Sequence, residues 1–95
     1  MKKYEIMYIV KANLDDETRN DTIAKINAVI ANNGGTVSSV NEWGMRDLAY
    51  PINDETKGYY VVVKVVADAK ATAEFDRLAK INNHILRHLI VIDQD

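Results

Sequence analysis

The chain has 95 residues, 47% of them hydrophobic and 27% charged, which is enough for one compact domain spanning residues 1–95 and too short for two. It contains no cysteine, which excludes disulfides, thiolate metal sites and thiol nucleophiles and fits a reducing cytoplasm. No apolar run approaches the length of roughly 20 residues that is needed to cross a bilayer. Twelve basic and fourteen acidic residues give a formal net charge of −2, which argues against a large phosphate-binding surface but permits a small one.

The first third of the chain predicts a strand followed by a helix. From Tyr4 to Lys11 an apolar stripe alternates with a mixed opposite face, as in a half-buried strand. Asp15 is a suitable helix N-cap, and the helix should end at Asn32-Asn33-Gly34-Gly35, residues that accept left-handed backbone angles. The apolar face of this helix is formed by Ile23, Ile26 and Ile30, with Ala24, Ala28 and Ala31 beside them.

The middle of the chain predicts two strands joined by a polar loop. A strand over residues 36–52 contains Gly44, a natural place for a bulge, and Pro51, which favours the edge of a sheet. Residues 53–58 are polar and predict a hairpin loop. Residues 59–66 are almost all β-branched or aromatic, which is typical of a central strand.

The last third predicts a second helix and a fourth strand. Asp68 caps the helix, and the final strand covers Ile85–Ile92. The order is therefore β-α-β-β-α-β, the α+β ferredoxin-like fold. Right-handed crossovers place both helices on one face of a four-stranded antiparallel sheet with strand order 4-1-3-2. The second helix presents Ala71, Phe75, Leu78 and Ala79 on its apolar face.

The face of the sheet without helices, here called the open face, is expected to be apolar. Ile6, Tyr8 and Val10 should face the helices, as should alternate valines of the third strand. Alternation then places Met7, Ile9, Tyr60 and Val62 on the open face. An exposed apolar patch of this kind often marks a protein interface.

No catalytic or metal-binding arrangement is recognisable. His84 and His88 are four residues apart, but in a strand that spacing separates them by about 13 Å, and no third ligand lies nearby. The acidic cluster at residues 15–17 is explained by helix capping, and there is no glycine-rich phosphate loop or nucleophile elbow. We therefore expect neither an enzyme nor a cofactor, metal or small-molecule substrate.

The third strand invites comparison with the RNA-recognition motif, which has the same element order. Residues 57–64 match its third-strand pattern at Lys57, Gly58, Tyr59 and Val62. They lack two of the aromatic residues on which single-stranded RNA would stack. The match is largely what any central strand after a glycine-containing turn would show.

Three motifs resemble one family of ribosomal proteins. The chain has Lys3-Tyr4-Glu5 at its start, Gly44-x-Arg46-x-Leu48-Ala49-Tyr50-Pro51-Ile52 in its second strand, and Gly58-Tyr59 after the hairpin. These residues and their spacing resemble the small-subunit ribosomal protein six family over essentially the whole chain. That family is ferredoxin-like, in agreement with the element order.

The resemblance implies a structural component of the small ribosomal subunit. The family binds the central domain of the small-subunit rRNA as a heterodimer with small-subunit ribosomal protein eighteen, and a basic partner would offset the acidic balance of this chain. The expected rRNA contacts are Lys2, Lys3, Arg46 and Arg87. The expected partner contacts are Trp43, Met45 and Tyr50, with Tyr60 and Val62 on the open face.

A different function remains open on the residues alone. Ferredoxin-like RNA-recognition or small-molecule-binding regulatory modules share this element order and often act as homodimers through an edge strand or open sheet face. A regulatory module of this kind would carry polar, ligand-shaped loops at the helix starts. Here Asn13-Leu14-Asp15 offers only a helix cap.

Overall fold

A computed structural model describes residues 2–52 and 55–93 and has the predicted fold. The elements are β1 (Lys2–Lys11), α1 (Asp16–Asn32), β2 (Thr36–Ile52), β3 (Glu55–Ala67), α2 (Ala69–Ile81) and β4 (Ile85–Ile92). The sheet order is β2-β3-β1-β4 with every neighbouring pair antiparallel, which confirms the predicted topology. The hairpin loop is shorter than predicted, because Glu55 to Gly58 already belong to β3; Asn53 and Asp54 lie outside the described residues.

The core lies between the sheet and the two helices. Alternate residues of β1 and β3 point towards the helices, and Tyr8 packs with its ring centroid 6.2 Å from that of Phe75. Burying side chains of this size contributes about 1.5–3 kcal/mol each. The largest fully buried side chains are Tyr8, Phe75, Ile6, Ile26, Ile30, Val10, Val61, Val63 and Val65. The predicted inward face of both strands is therefore confirmed.

Both ends of α1 follow the predicted capping pattern. The Thr18 backbone N–H donates to Asp15 Oδ1 over 2.9 Å, and hydrogen bonding from Thr18 holds the pKa of Asp15 below its ordinary value. At the other end the N–H of Gly35 donates to the Ile30 carbonyl and that of Gly34 to Ala31. Gly34 has a φ of +87°, so this end is a Schellman motif.

Strand β2 is an edge strand whose register with β3 shifts at three places, the first between Val37 and Ser39. Its register with β3 shifts between Glu42 and Gly44, where Gly44 has a φ of +89°, so the predicted bulge is confirmed. A larger irregularity separates the pairs Asp47–Lys57 and Ile52–Glu55, between which β2 has four residues and β3 has one. We call residues 48–51 the arm. Pro51 lies in the arm, where it has no partner in the β2–β3 ladder.

Candidate interface on the open sheet face

Strand register decides which side chains share the open face. Residues directly opposite one another in a ladder point to the same side of the sheet. Met7 is opposite Val62 on β3 and Leu89 on β4, and Ile9 is opposite Tyr60 and Arg87. The open face therefore combines an apolar centre with basic residues near its ends.

The centre of this apolar surface is less accessible than the alternation pattern suggested. Ile9 is 5% exposed and Val62 is 7% exposed, because the neighbouring side chains on the same face cover them. Leu89 and Val91 on β4 are 50% and 43% exposed, and sequence reasoning did not assign them a role. Part of the accessible apolar surface therefore lies on the β4 side, where a shallow groove of about 280 Å³ is lined by Met7, Ile9, Tyr60, Arg87, His88 and Leu89.

An aromatic pair lies on the β2 side of the open face. The rings of Trp43 and Tyr60 are parallel to within 1°, with their centroids 6.2 Å apart. The guanidinium carbon of Arg46 lies 5.9 Å from the Trp43 ring centroid, within the range of a cation–π contact. Met45 is placed differently, because it pairs with Tyr59, whose side chain packs against the core on the helix side.

The arm crosses the open face above Gly58. A Cβ atom at Gly58 would lie 2.2 Å from Cγ2 of Ile9 and 3.5 Å from Cδ2 of Leu48, so those two side chains occupy the space that a larger residue would need. Further along the arm, the Tyr50 hydroxyl accepts a hydrogen bond from Nη1 of Arg87. Because β2 and β4 are the two edges of the sheet, the side chains of Tyr50 and Arg87 together span the open face from one edge to the other.

The four predicted rRNA contacts do not form one cluster. Lys3, Arg46 and Arg87 lie on the open face by register, whereas Lys2 pairs with the buried Ala67 and belongs to the helix side. Arg46 and Arg87 lie at the same end of the sheet, three strand spacings apart and offset by two residues along the strands, which gives a backbone separation of about 16 Å. Lys3 lies at the other end, six residues or about 20 Å along β1 from Ile9, the partner of Arg87. The expectation that Lys2-Lys3 and Arg87 lie at opposite ends is confirmed.

The open face is basic although the chain as a whole is acidic. Register places five basic and two acidic side chains on it, a net charge of +3, against −2 for the whole chain. Two of these opposite charges form an ion pair, with Nζ of Lys64 3.9 Å from Oδ2 of Asp93. Lys11 belongs to this face, as the alternation along β1 predicts, but it was not among the predicted rRNA contacts. The described charges of the face are Lys3, Lys11, Arg46, Lys64, Arg87, Glu5 and Asp93.

Both histidines take part in contacts between elements. Nε2 of His88 lies 2.7 Å from Oδ1 of Asp76, and its ring meets Phe75 edge-on. Hydrogen bonds from Lys80 and His88 hold the pKa of Asp76 below its ordinary value. Nδ1 of His84 lies 3.3 Å from the Thr22 hydroxyl. Across residues 2–52 and 55–93 no three metal-ligating side chains of the His, Cys, Asp or Glu types come together.

Comparison with known proteins agrees with the fold and the motifs. No helix in the described part of the chain is long and apolar enough to cross a membrane. The family model "Ribosomal protein S6" matches residues 3–92. The crystal structure of 30S ribosomal protein S6 from Thermotoga maritima at 1.70 Å resolution is similar with a TM-score of 0.92 and 25% sequence identity, over 97% of this chain and 87% of that chain. The chain therefore belongs to the ribosomal protein S6 family, and it is a structural, non-enzymatic protein of the small ribosomal subunit.

Proposed function

We propose that this protein binds the central domain of the small-subunit rRNA cooperatively with small-subunit ribosomal protein eighteen. The observation that carries the proposal is the net charge of +3 on the open face of a chain whose total charge is −2. A protein with an acidic total can bind a polyanion only through a surface on which its cations are concentrated. The open face is that surface.

The rRNA contacts are assigned to the two ends of the open face. Arg46 and Arg87 form the main contact, and their spacing of about 16 Å suits two phosphates on one stretch of RNA. Lys3 provides a second contact at the far end, with Lys2 beside it at the start of β1. Few contacts of this kind give weak binding alone, because the electrostatic contribution grows with the number of neutralised phosphates.

The partner protein is assigned to the apolar part of the same face. Leu89 and Val91 are exposed there, and Trp43 and Tyr60 present a parallel aromatic pair at the β2 side. Aromatic residues are enriched at protein interfaces because they bury a large area and lose little rotamer freedom. The other predicted partner contacts are Tyr50, Val62 and Met45. Tyr50 lies in the arm, and Val62 is covered by its neighbours on the open face. Met45 would be touched only by a partner that also reaches the β2 edge.

Cooperativity is tested with an electrophoretic mobility assay on a central-domain rRNA fragment. We expect weak binding by this protein alone and tight binding when small-subunit ribosomal protein eighteen is added, because the partner adds both apolar contact and cationic groups. Tight binding by this protein alone, unchanged by the partner, would refute the proposal.

The arginine assignments are tested with Arg46→Ala and Arg87→Ala. Each should weaken the ternary complex and reduce the slope of log affinity against log salt by about 1, as the loss of one phosphate contact does. Arg77→Ala is the matched control, since Arg77 is exposed on α2 and its ion pair within residues 2–52 and 55–93 is with Glu74, three residues away on the same helix. Surface substitutions of this kind change stability by about 0.5 kcal/mol or less. If Arg46→Ala unfolds the domain, Arg46 is structural and its assignment is wrong.

A further inference from the structure

The arm leaves the sheet because β2 has more residues than the ladder can pair. Between Asp47–Lys57 and Ile52–Glu55 there are three surplus residues on β2. A surplus of this size interrupts the ladder and bends the strand out of the sheet plane. The surplus lies within the Leu48-Ala49-Tyr50-Pro51 part of the family motif.

Two contacts hold the arm against the open face. The side chains of Leu48 and Ile9 both fill the space over Gly58. The Tyr50 hydroxyl accepts a hydrogen bond from Nη1 of Arg87. Pro51 restricts the backbone further, since its ring fixes its own φ and disfavours helical angles at Tyr50. The arm is therefore a short, stiff segment anchored at Leu48, with the Tyr50 hydroxyl near its end.

We propose that Tyr50 is a positioning residue for Arg87, holding its guanidinium over the basic end of the open face before RNA binds. The assignment rests on the proposed rRNA contact of Arg87. A guanidinium has five N–H donors, and Tyr50 accepts from one of its nitrogens, so donors remain for a phosphate. A hydroxyl that accepts from Arg87 also leaves the full positive charge in place, which a carboxylate partner would not do.

Positioning of this kind raises affinity without a new RNA contact. A long arginine side chain loses rotamer freedom when it binds a phosphate, and that loss is smaller if the side chain is already held. Removing the Tyr50 hydroxyl should therefore weaken RNA binding by about 2- to 10-fold, the range that corresponds to ordering one flexible side chain. The effect requires Arg87 to be present.

The binding test is a double-mutant cycle in the ternary complex with the rRNA fragment and the partner protein. Tyr50→Phe removes one oxygen and keeps the aromatic ring. We expect a 2- to 10-fold loss for Tyr50→Phe in the wild-type background and no further loss in Arg87→Ala. Equal losses in both backgrounds would show that the hydroxyl acts independently of Arg87, and no loss in either would show that it positions nothing.

A second measurement needs no RNA and separates this inference from the proposed function. Relaxation of the arginine Nε–Hε groups in the free protein should show Arg87 ordered in the wild type and mobile in Tyr50→Phe, with Arg77 unchanged as an internal control. An Arg87 side chain that is already mobile in the wild type overturns the inference. Tyr50→Phe could make the Arg87 side chain mobile while Arg87→Ala binds RNA as tightly as the wild type. That pair of results would refute the rRNA contact of Arg87, and with it the inference that Tyr50 positions Arg87 for RNA.

Discussion

Replacing Gly58 with alanine should destabilise the protein although its backbone would tolerate alanine. Among the described glycines only Gly34 and Gly44 have positive φ, so Gly58 has no left-handed angle that requires glycine. At such a position Gly→Ala stabilises by about 0.4–1 kcal/mol, because the unfolded chain loses freedom. At Gly58 a steric effect opposes that gain and should exceed it.

The magnitude follows from the contact that the new methyl group would make. Its Cβ would lie 2.2 Å from Cγ2 of Ile9, which branches from a stiff Cβ and is 5% exposed. Overpacking of this kind costs about 1–3 kcal/mol. After subtraction of the backbone gain, we expect a loss of about 1–2 kcal/mol, or about 4–15 °C in Tm for a domain of this size.

The assay is urea and thermal unfolding of four proteins: wild type, Gly58→Ala, Ile9→Leu and the double variant. Leucine conserves volume but has no branch at Cβ, so the double variant removes the methyl group that would clash. We expect a coupling free energy of at least about 0.5 kcal/mol, with Gly58→Ala costing less in the Ile9→Leu background. A Gly58→Ala protein as stable as the wild type, or an equal cost in both backgrounds, would refute the steric argument.

Two further predictions concern the α2–β4 contact and the partner surface. Hydrogen bonds from Lys80 and His88 hold the pKa of Asp76 below its ordinary value of 3.8. The ionised carboxylate therefore stabilises the folded state at pH values above 3.8. This stabilisation disappears as the pH falls through the lowered pKa of the folded state. The difference in urea midpoint between wild type and Asp76→Asn should accordingly shrink in acid, and a difference that is constant from about pH 6 to pH 2 would contradict this linkage. Leu89→Ser should weaken binding of small-subunit ribosomal protein eighteen in calorimetry with little change in the urea midpoint. Ile81→Ser is the control on α2, where Ile81 is 64% exposed against 50% for Leu89, and it should leave partner binding unchanged. Equal effects of the two serine variants would show that the partner does not use the open face.

The amino-acid sequence was sufficient for the fold and the family. Its periodicity distinguishes strand from helix because alternate residues of a strand face opposite sides, and the residues with no exposed surface in the middle of β1 and β3 follow that alternation: Ile6, Tyr8, Val10, Val61 and Val63. For local backbone reasons Gly44 predicted a bulge in β2 and Pro51 predicted that β2 lies at an edge, and the register and strand order confirm both. The motif around Arg46 predicted the family and its ribosomal location, which the family model confirms.

The composition of the open face was decided only by the tertiary structure. Alternation placed Val62 on it, but exposure depends on neighbours in other strands, and those neighbours bury Val62 and leave Leu89 accessible. The contact between Tyr50 and Arg87 joins residues 37 positions apart across the full width of the sheet. No local pattern encodes it, because it depends on three surplus residues of β2 folding over strands that pair only when the chain closes into a sheet.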